Sequence, residues 1–142
     1  YLLEMLDAMQ KGDLERANEL QIRIWLDGES REPQQVDPAL RKKAMEMNRI
    51  SVAQNTFFTA DLQPASPLDP PALTRLESVK CPTLVIAGAL DHAEVLRAAD
   101  EMASRIPNAR KTIIASAGHV PSYEKPDKFV KLLLDFLSKK EV

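Results

Sequence analysis

Apolar positions along the chain fall into two regimes. From Tyr1 to about Ala60 they recur at helical spacing; from Thr83 onward, short continuous apolar runs alternate with helical ones. Leu2, Leu3, Met5, Leu6 and Met9 predict a first helix, ended at Lys11-Gly12 because glycine readily takes the left-handed stop conformation. Asp13 caps a second helix with Leu14, Ala17, Leu20, Ile24 and Trp25 on one face and Gly28 as its stop. A polar connection follows from Glu29 to Gln35. Asp37-Pro38 then reads as a cap with proline at the first helical position. Leu40, Ala44, Met47, Ile50 (or Ser51), Gln54 and Phe57–Phe58 carry a third helix to about Ala60. Three amphipathic helices without a strand predict a helical hairpin bundle, with Met5, Met9, Met45 and Met47 as core or groove residues.

Pro64, Pro67, Pro70 and Pro71 mark a linker, which sets the division as 1–63, 64–71 and 72–142. Pro71 starts a short helix over Ala72 to Val79. Thr83-Leu-Val-Ile-Ala87 is apolar and β-branched without interruption, so it predicts a strand buried on both faces of a parallel sheet. Val95, Ala99, Met102, Ala103 and Ile106 predict a helix ended by Pro107-Asn108. Thr112-Ile-Ile-Ala115 is a second buried strand, and Pro126 opens a last helix with Phe129, Val130, Leu133, Phe136 and Leu137 inward. Strand–helix–strand–helix with short loops implies an α/β fold with a right-handed parallel crossover.

Composition narrows the function classes. The chain has 142 residues, 44% hydrophobic and 28% charged, as expected of a soluble globular protein. A net charge of −2 gives no case for nucleic acid or an anionic membrane, and no apolar run reaches transmembrane length. A single cysteine excludes an internal disulfide and a cysteine-based zinc site, and only His92 and His119 stand beside it. No metal or cofactor is expected, the default compartment is the cytoplasm, and Cys81 reads as an inert buried thiol. The start at Tyr1, helical from its first residue, points to an excerpt from a longer polypeptide.

Chemistry concentrates at two strand ends. In parallel sheets, functional residues sit in loops after the carboxyl ends of strands. Asp91 follows the first strand and His119 the second, with Gly88 and Gly118 before them permitting tight turns. Neighbouring strands lie ~5 Å apart, so side chains from these loops can meet. A carboxylate bonded to one imidazole nitrogen sets the tautomer and stabilises the imidazolium that forms when the other nitrogen takes a proton. The plainer readings are that Asp91-His-Ala-Glu94 is a capping box and His119 a solvated loop residue. Two strand ends, two glycines and the acid-before-histidine order together outweigh them. His92 reads as an exposed or rim residue. Trp25 and the Phe57–Phe58 pair, with Val120, are candidate pocket residues, against core packing of the aromatic side chains.

Residues 72–137 resemble the C-terminal part of the α/β-hydrolase superfamily. The matching stretches run from Leu73 through Cys81-Pro-Thr-Leu-Val-Ile-Ala-Gly-Ala-Leu-Asp91, then Ile106-Pro-Asn-Ala-Arg110, then Ala117-Gly-His119-Val-Pro-Ser-Tyr-Glu124-Lys-Pro126 and Phe129 to Leu137. The resemblance implies that Asp91 orients the ring and His119 acts as general base. It also implies that residues 1–63 form a helical cap (lid), similar to caps of the 3-oxoadipate enol-lactonase-like esterases and lactonases. The family's nucleophile elbow, Gly-x-Ser-x-Gly, cannot occur here: glycines stand only at 12, 28, 88 and 118, no two of them four apart. The expected fold is therefore an incomplete α/β-hydrolase fold, cap followed by strand–helix–strand–helix, with its nucleophile, serine or aspartate, elsewhere.

Two function classes follow. In the first, the chain is the cap and C-terminal part of a hydrolase for a small ester, lactone or related substrate. Alone it is then inactive, since an isolated general base gives only ~10²–10⁴-fold acceleration. In the second, it is a non-catalytic binding or interaction protein that kept part of the fold. The reading frame upstream of Tyr1 discriminates between them. Truncation leaves the 83–87 strand without its inner neighbour, an unpaired apolar edge that predicts self-association of the isolated fragment through that edge or by helix exchange.

Overall fold

The computed structural model describes residues 1–55 and 68–138, and the chain divides into two compact units, Tyr1–Gln63 and Pro64–Val142. Each is described by itself.

The first unit holds α1 (Leu2–Gln10), α2 (Leu14–Ile22) and α3 (Pro38–Ala53). Gly12, at φ +74°, ends α1, and the Asp13 carboxylate accepts the Arg16 amide to start α2. Asp37 accepts the amides of Ala39 and Leu40 at 2.9 Å and so starts α3 behind Pro38. Met5, Ala8, Met9, Ala17, Leu20 and Val52 form the apolar core.

Two faces differ from the sequence pattern. After Ile22 the helix widens into a π-turn, Arg23–Asp27, closed by the Gly28 amide on the Arg23 carbonyl. The wider turn rotates the following residues. Leu26 and Asp27 are buried, whereas Trp25 is 50% exposed rather than packed inward. In α3, Met47 and Ile50 are exposed, and the side facing α2 is polar instead. Asn18 donates to the Met45 carbonyl, and Asn48 donates to Asn18 and Gln21 at 2.8 and 2.9 Å. Arg41 reaches the fully buried Asp27, with bonds of 3.0–3.2 Å, and Glu19 at 2.5 Å. α3 ends at Ala53; its expected continuation to Ala60, and with it Phe57 and Phe58, lies outside the described residues.

The second unit is α/β. The short helix expected behind Pro71 is a 3-10 helix, Ala72–Ser78, with Pro71 as its N-cap. Then come β1 (Thr83–Gly88), α4 (Ala93–Arg105), β2 (Ala109–Ile114), the one-turn α5 (Pro121–Glu124) and α6 (Pro126–Leu137). β1 and β2 pair in parallel, Thr83 opposite Ala109 through Gly88 opposite Ile114. β2 begins three residues before the expected Thr112 and ends one before Ala115. Val85, Ala87 and Ala99 form a core with Leu96 and Met102 against it, so β1 packs under the apolar face of α4.

Two further expectations are corrected. Cys81 is exposed, because at Cys81-Pro82 the chain has not yet entered the strand. In α6, Phe129 and Phe136 are half-buried, but Val130, Leu133 and Leu137 are exposed, as is Leu134. An apolar stripe on this helix therefore lies uncovered among the described residues.

Candidate functional site

The two strand ends are laced together before any side chain meets. The Ala89 amide donates to the Ile114 carbonyl and the Leu90 amide to the Ala117 carbonyl, both at 3.0 Å. The Asp91 amide turns back to the Gly88 carbonyl at 3.2 Å. A Cβ at Gly88 would lie 2.1 Å from the Gly118 carbonyl oxygen and 2.2 Å from that of Ala117. Glycine is required there for close approach of two backbones, which is a different need from the tight turn expected of it.

On this frame Asp91 and His119 come together. His119 Nδ1 lies 3.0 Å from Asp91 Oδ1 and 3.1 Å from Oδ2. The Asp91 side chain is 5% exposed and the His119 side chain 37%. A carboxylate so placed accepts only from the donors the fold presents. Besides His119, the His92 amide donates to Asp91 Oδ1 at 2.7 Å. Nδ1 faces an acceptor-only group, so it carries the proton, and Nε2 is the basic nitrogen of the ring.

The alternative role for Asp91 falls to its neighbour. His92, not Asp91, is the N-cap of α4: its Nδ1 accepts the Glu94 amide at 3.1 Å. His92 is exposed, as expected, but it has a structural task at the helix start. With the cap on His92, the Asp91 carboxylate is turned to His119.

Val120, the N-cap of α5, is half-buried directly after His119. Trp25 belongs to the first unit, on its π-turn, and Phe57 and Phe58 lie outside the described residues. One further bond joins this site: Glu124 Oε1 accepts the Gly118 amide at 2.6 Å. The Gly-His-x-x-x-x-Glu spacing carries the signal for this bond. Among the described residues no group of three or more His, Cys, Asp or Glu side chains is placed to hold a metal ion, and no helix is long and apolar enough to cross a membrane.

A family model described as "Alpha/beta hydrolase family" matches residues 5–132. The polyketide synthase ThaQ of Burkholderia thailandensis is 41% identical over 66 residues, 46% of this chain and 3% of that protein. The monoacylglycerol lipase ABHD6 of Bos taurus is 35% identical over 63 residues, 44% of this chain and 19% of that protein. Among solved structures, Est816, described as an N-acyl homoserine lactone degrading enzyme, superposes with a TM-score of 0.67 at 24% identity. That match covers 94% of this chain and 51% of the other, so the chain spans about half the length of the solved structure it resembles.

Proposed function

The chain belongs to the alpha/beta hydrolase family, and on that premise we propose that it supplies the histidine and the acid of a hydrolase for small esters, lactones or related substrates. The observation that carries this reading is the His119 Nδ1 to Asp91 contact at 3.0 Å, with the carboxylate buried and the ring at the surface. His119 Nε2 takes the proton of an attacking group and returns it to the leaving oxygen. Asp91 holds the ring and stabilises the imidazolium between those steps.

The sequence carries no Gly-x-Ser-x-Gly, so the nucleophile, serine or aspartate, belongs to residues outside this chain, and residues 1–142 alone turn nothing over. In this reading residues 1–63 serve as the cap, and Trp25, Phe57, Phe58 and Val120 remain candidate substrate contacts on their residue type and position in the sequence. Within the class, lactone and enol-lactone hydrolysis is the chemistry that the cap resemblance favours. The lipase and lactone-degrading relatives support ester and lactone substrates generally. A lone cysteine suits a reducing cytoplasm. Residues 1–142 also self-associate in this reading. The Thr83 and Ala89 amides point to β2, so by alternation those of Leu84 and Ile86 point to the other edge, where the described residues place no strand.

The test is kinetic. The full encoded polypeptide is assayed on short nitrophenyl esters and on acyl lactones, beside Asp91→Asn and His119→Gln. The expected loss is roughly 10³–10⁴-fold in kcat with KM held. Undiminished turnover in either variant removes the reading. A second reading, a binding protein without turnover, is favoured by the missing elbow. It predicts quenching of the single tryptophan, Trp25, by such esters, with no hydrolysis.

A further inference from the structure

The peptide plane that joins Ala117 to Gly118 stands one peptide before His119, and both of its polar ends are held. Its carbonyl oxygen accepts the Leu90 amide at 3.0 Å, which ties it to the acid-bearing loop. Its N–H donates to Glu124 Oε1 at 2.6 Å. One face of the same plane abuts Gly88, where a Cβ would lie 2.2 Å from the Ala117 oxygen and 2.5 Å from the Ala117 carbonyl carbon. Ala117 is fully buried, and Gly118 is buried.

Glu124 is in turn set by its own backbone. Its amide donates to the Val120 carbonyl at 3.0 Å, within the one turn that Pro121 opens. The next amide, Lys125, donates to the Pro121 carbonyl at 3.0 Å, and Pro126 starts α6. His119 is thus the residue between two anchor points: the Gly118 amide on the Glu124 side chain, and the Val120 carbonyl on the Glu124 backbone.

We infer that Glu124 is a positioning residue for His119. Its carboxylate fixes the Ala117–Gly118 peptide plane, one peptide before the one that carries the His119 nitrogen, and its backbone holds the Val120 carbonyl on the other side. Together these set the ring nitrogen that faces Asp91. The bond is charge-assisted and partly buried, the class of hydrogen bond that holds a geometry most firmly. A neutral amide of the same length still accepts from Gly118, whereas a methyl group or a shorter acid does not reach it. The inference rests on the hydrolase reading for its consequence in turnover, but the positioning itself is measurable without turnover.

The experiment compares Glu124→Ala and Glu124→Gln with the parent chain. The His119 ring-nitrogen ¹⁵N shifts report its tautomer, and amide exchange is followed at Gly118. Glu124→Ala is expected to speed Gly118 exchange roughly ten-fold or more and to replace the single Nδ1–H tautomer by a mixture. Glu124→Gln restores the single tautomer and most of the protection. A folded Glu124→Ala chain with the parent's tautomer and Gly118 protection overturns the inference. Should Glu124→Ala not fold, Glu124→Asp is read by the same two outcomes. In the full polypeptide the alanine variant lowers kcat with KM held, and the glutamine variant recovers it. If the tautomer responds while the unsubstituted full polypeptide shows no hydrolysis, the hydrolase reading fails and the positioning stands.

Discussion

At the scale of single residues, the second unit depends on one missing side chain. A Cβ at position 88 would lie 2.1 Å from the Gly118 oxygen and 2.2 Å from the Ala117 oxygen, both backbone atoms that no rotamer change can move. Gly88→Ala therefore forces β1 and the loop after β2 apart, and is expected to cost about 2 kcal/mol or more. Thermal unfolding reads the cost, and the loss of the single His119 tautomer reads the displacement of the loop. In the first unit the corresponding residue is Asp27, fully buried and held by Arg41 at 3.0 Å and more loosely by Arg23 at 3.5 Å. Burial works against the Arg41 charge, but hydrogen bonds to Asp27 and Glu19 outweigh it and hold that guanidinium above its ordinary value. Asp27→Asn leaves the Arg41 charge, 16% exposed, facing a neutral amide. An expected loss of about 3 kcal/mol follows from breaking one partner of a buried pair. A shifted urea midpoint in the helical signal measures it. An unchanged midpoint would mean that Glu19 alone suffices for Arg41.

At the scale of elements, legibility followed the kind of signal each segment carried. Asp91 and His119 could be read because strand-end chemistry, two glycines and chain order all pointed to one place. The cap of α4 could not. Asp91 is the usual capping residue type, and only the fold shows His92 Nδ1 on the Glu94 amide. The buried face of α3 was misread because apolar periodicity assumes an apolar seam, and this seam is built from Asn18, Gln21, Asn48, Asp27 and Arg41. The π-turn at Arg23–Asp27 rotated Trp25 outward, a shift that a regular helical repeat cannot show. One element junction responds to pH. Arg105 on α4 clasps Glu77 of the 3-10 turn at 2.7 Å, and that bond holds the Glu77 carboxyl below its usual range. A lowered carboxyl stabilises the fold above its unfolded value and stops doing so once pH falls through its folded value. The Tm difference between the parent and Glu77→Gln is thus expected to be full at neutral pH, to shrink as pH falls through the ordinary glutamate range, and to vanish below it. Both side chains are solvent-accessible, so the difference is small and declines with added salt. A gap that widened on acidification would contradict this assignment.

At the scale of the whole molecule, the second unit exposes what most folded domains cover. β1 has β2 on one edge, and the described residues place no strand on the other. The Leu84 and Ile86 side chains, on the face of β1 opposite Val85 and Ala87, are half-buried. On α6, Val130, Leu134 and Leu137 are 48%, 59% and 66% exposed, one turn after another along a single face. Burying such surface is favourable at about 25 cal/mol per Å², and an open strand edge offers the backbone a partner in register. The self-association proposed for residues 1–142 therefore has both a driving force and a template. Sedimentation of that chain is expected to show a dimer or larger species at micromolar concentration. Leu84→Pro separates the template from the driving force. The Leu84 amide points away from β2, so proline removes an edge donor while sparing the β1–β2 ladder, and proline is tolerated in a strand only at such a position. If pairing runs through the edge, Leu84→Pro sediments as a monomer with its helical signal intact. If helix exchange or the α6 stripe is responsible, Leu84→Pro stays associated and Leu134→Lys dissociates it. A folded parent chain that sediments as a monomer throughout removes the self-association, and leaves the His119–Asp91 site unaffected, since that site is built within one chain.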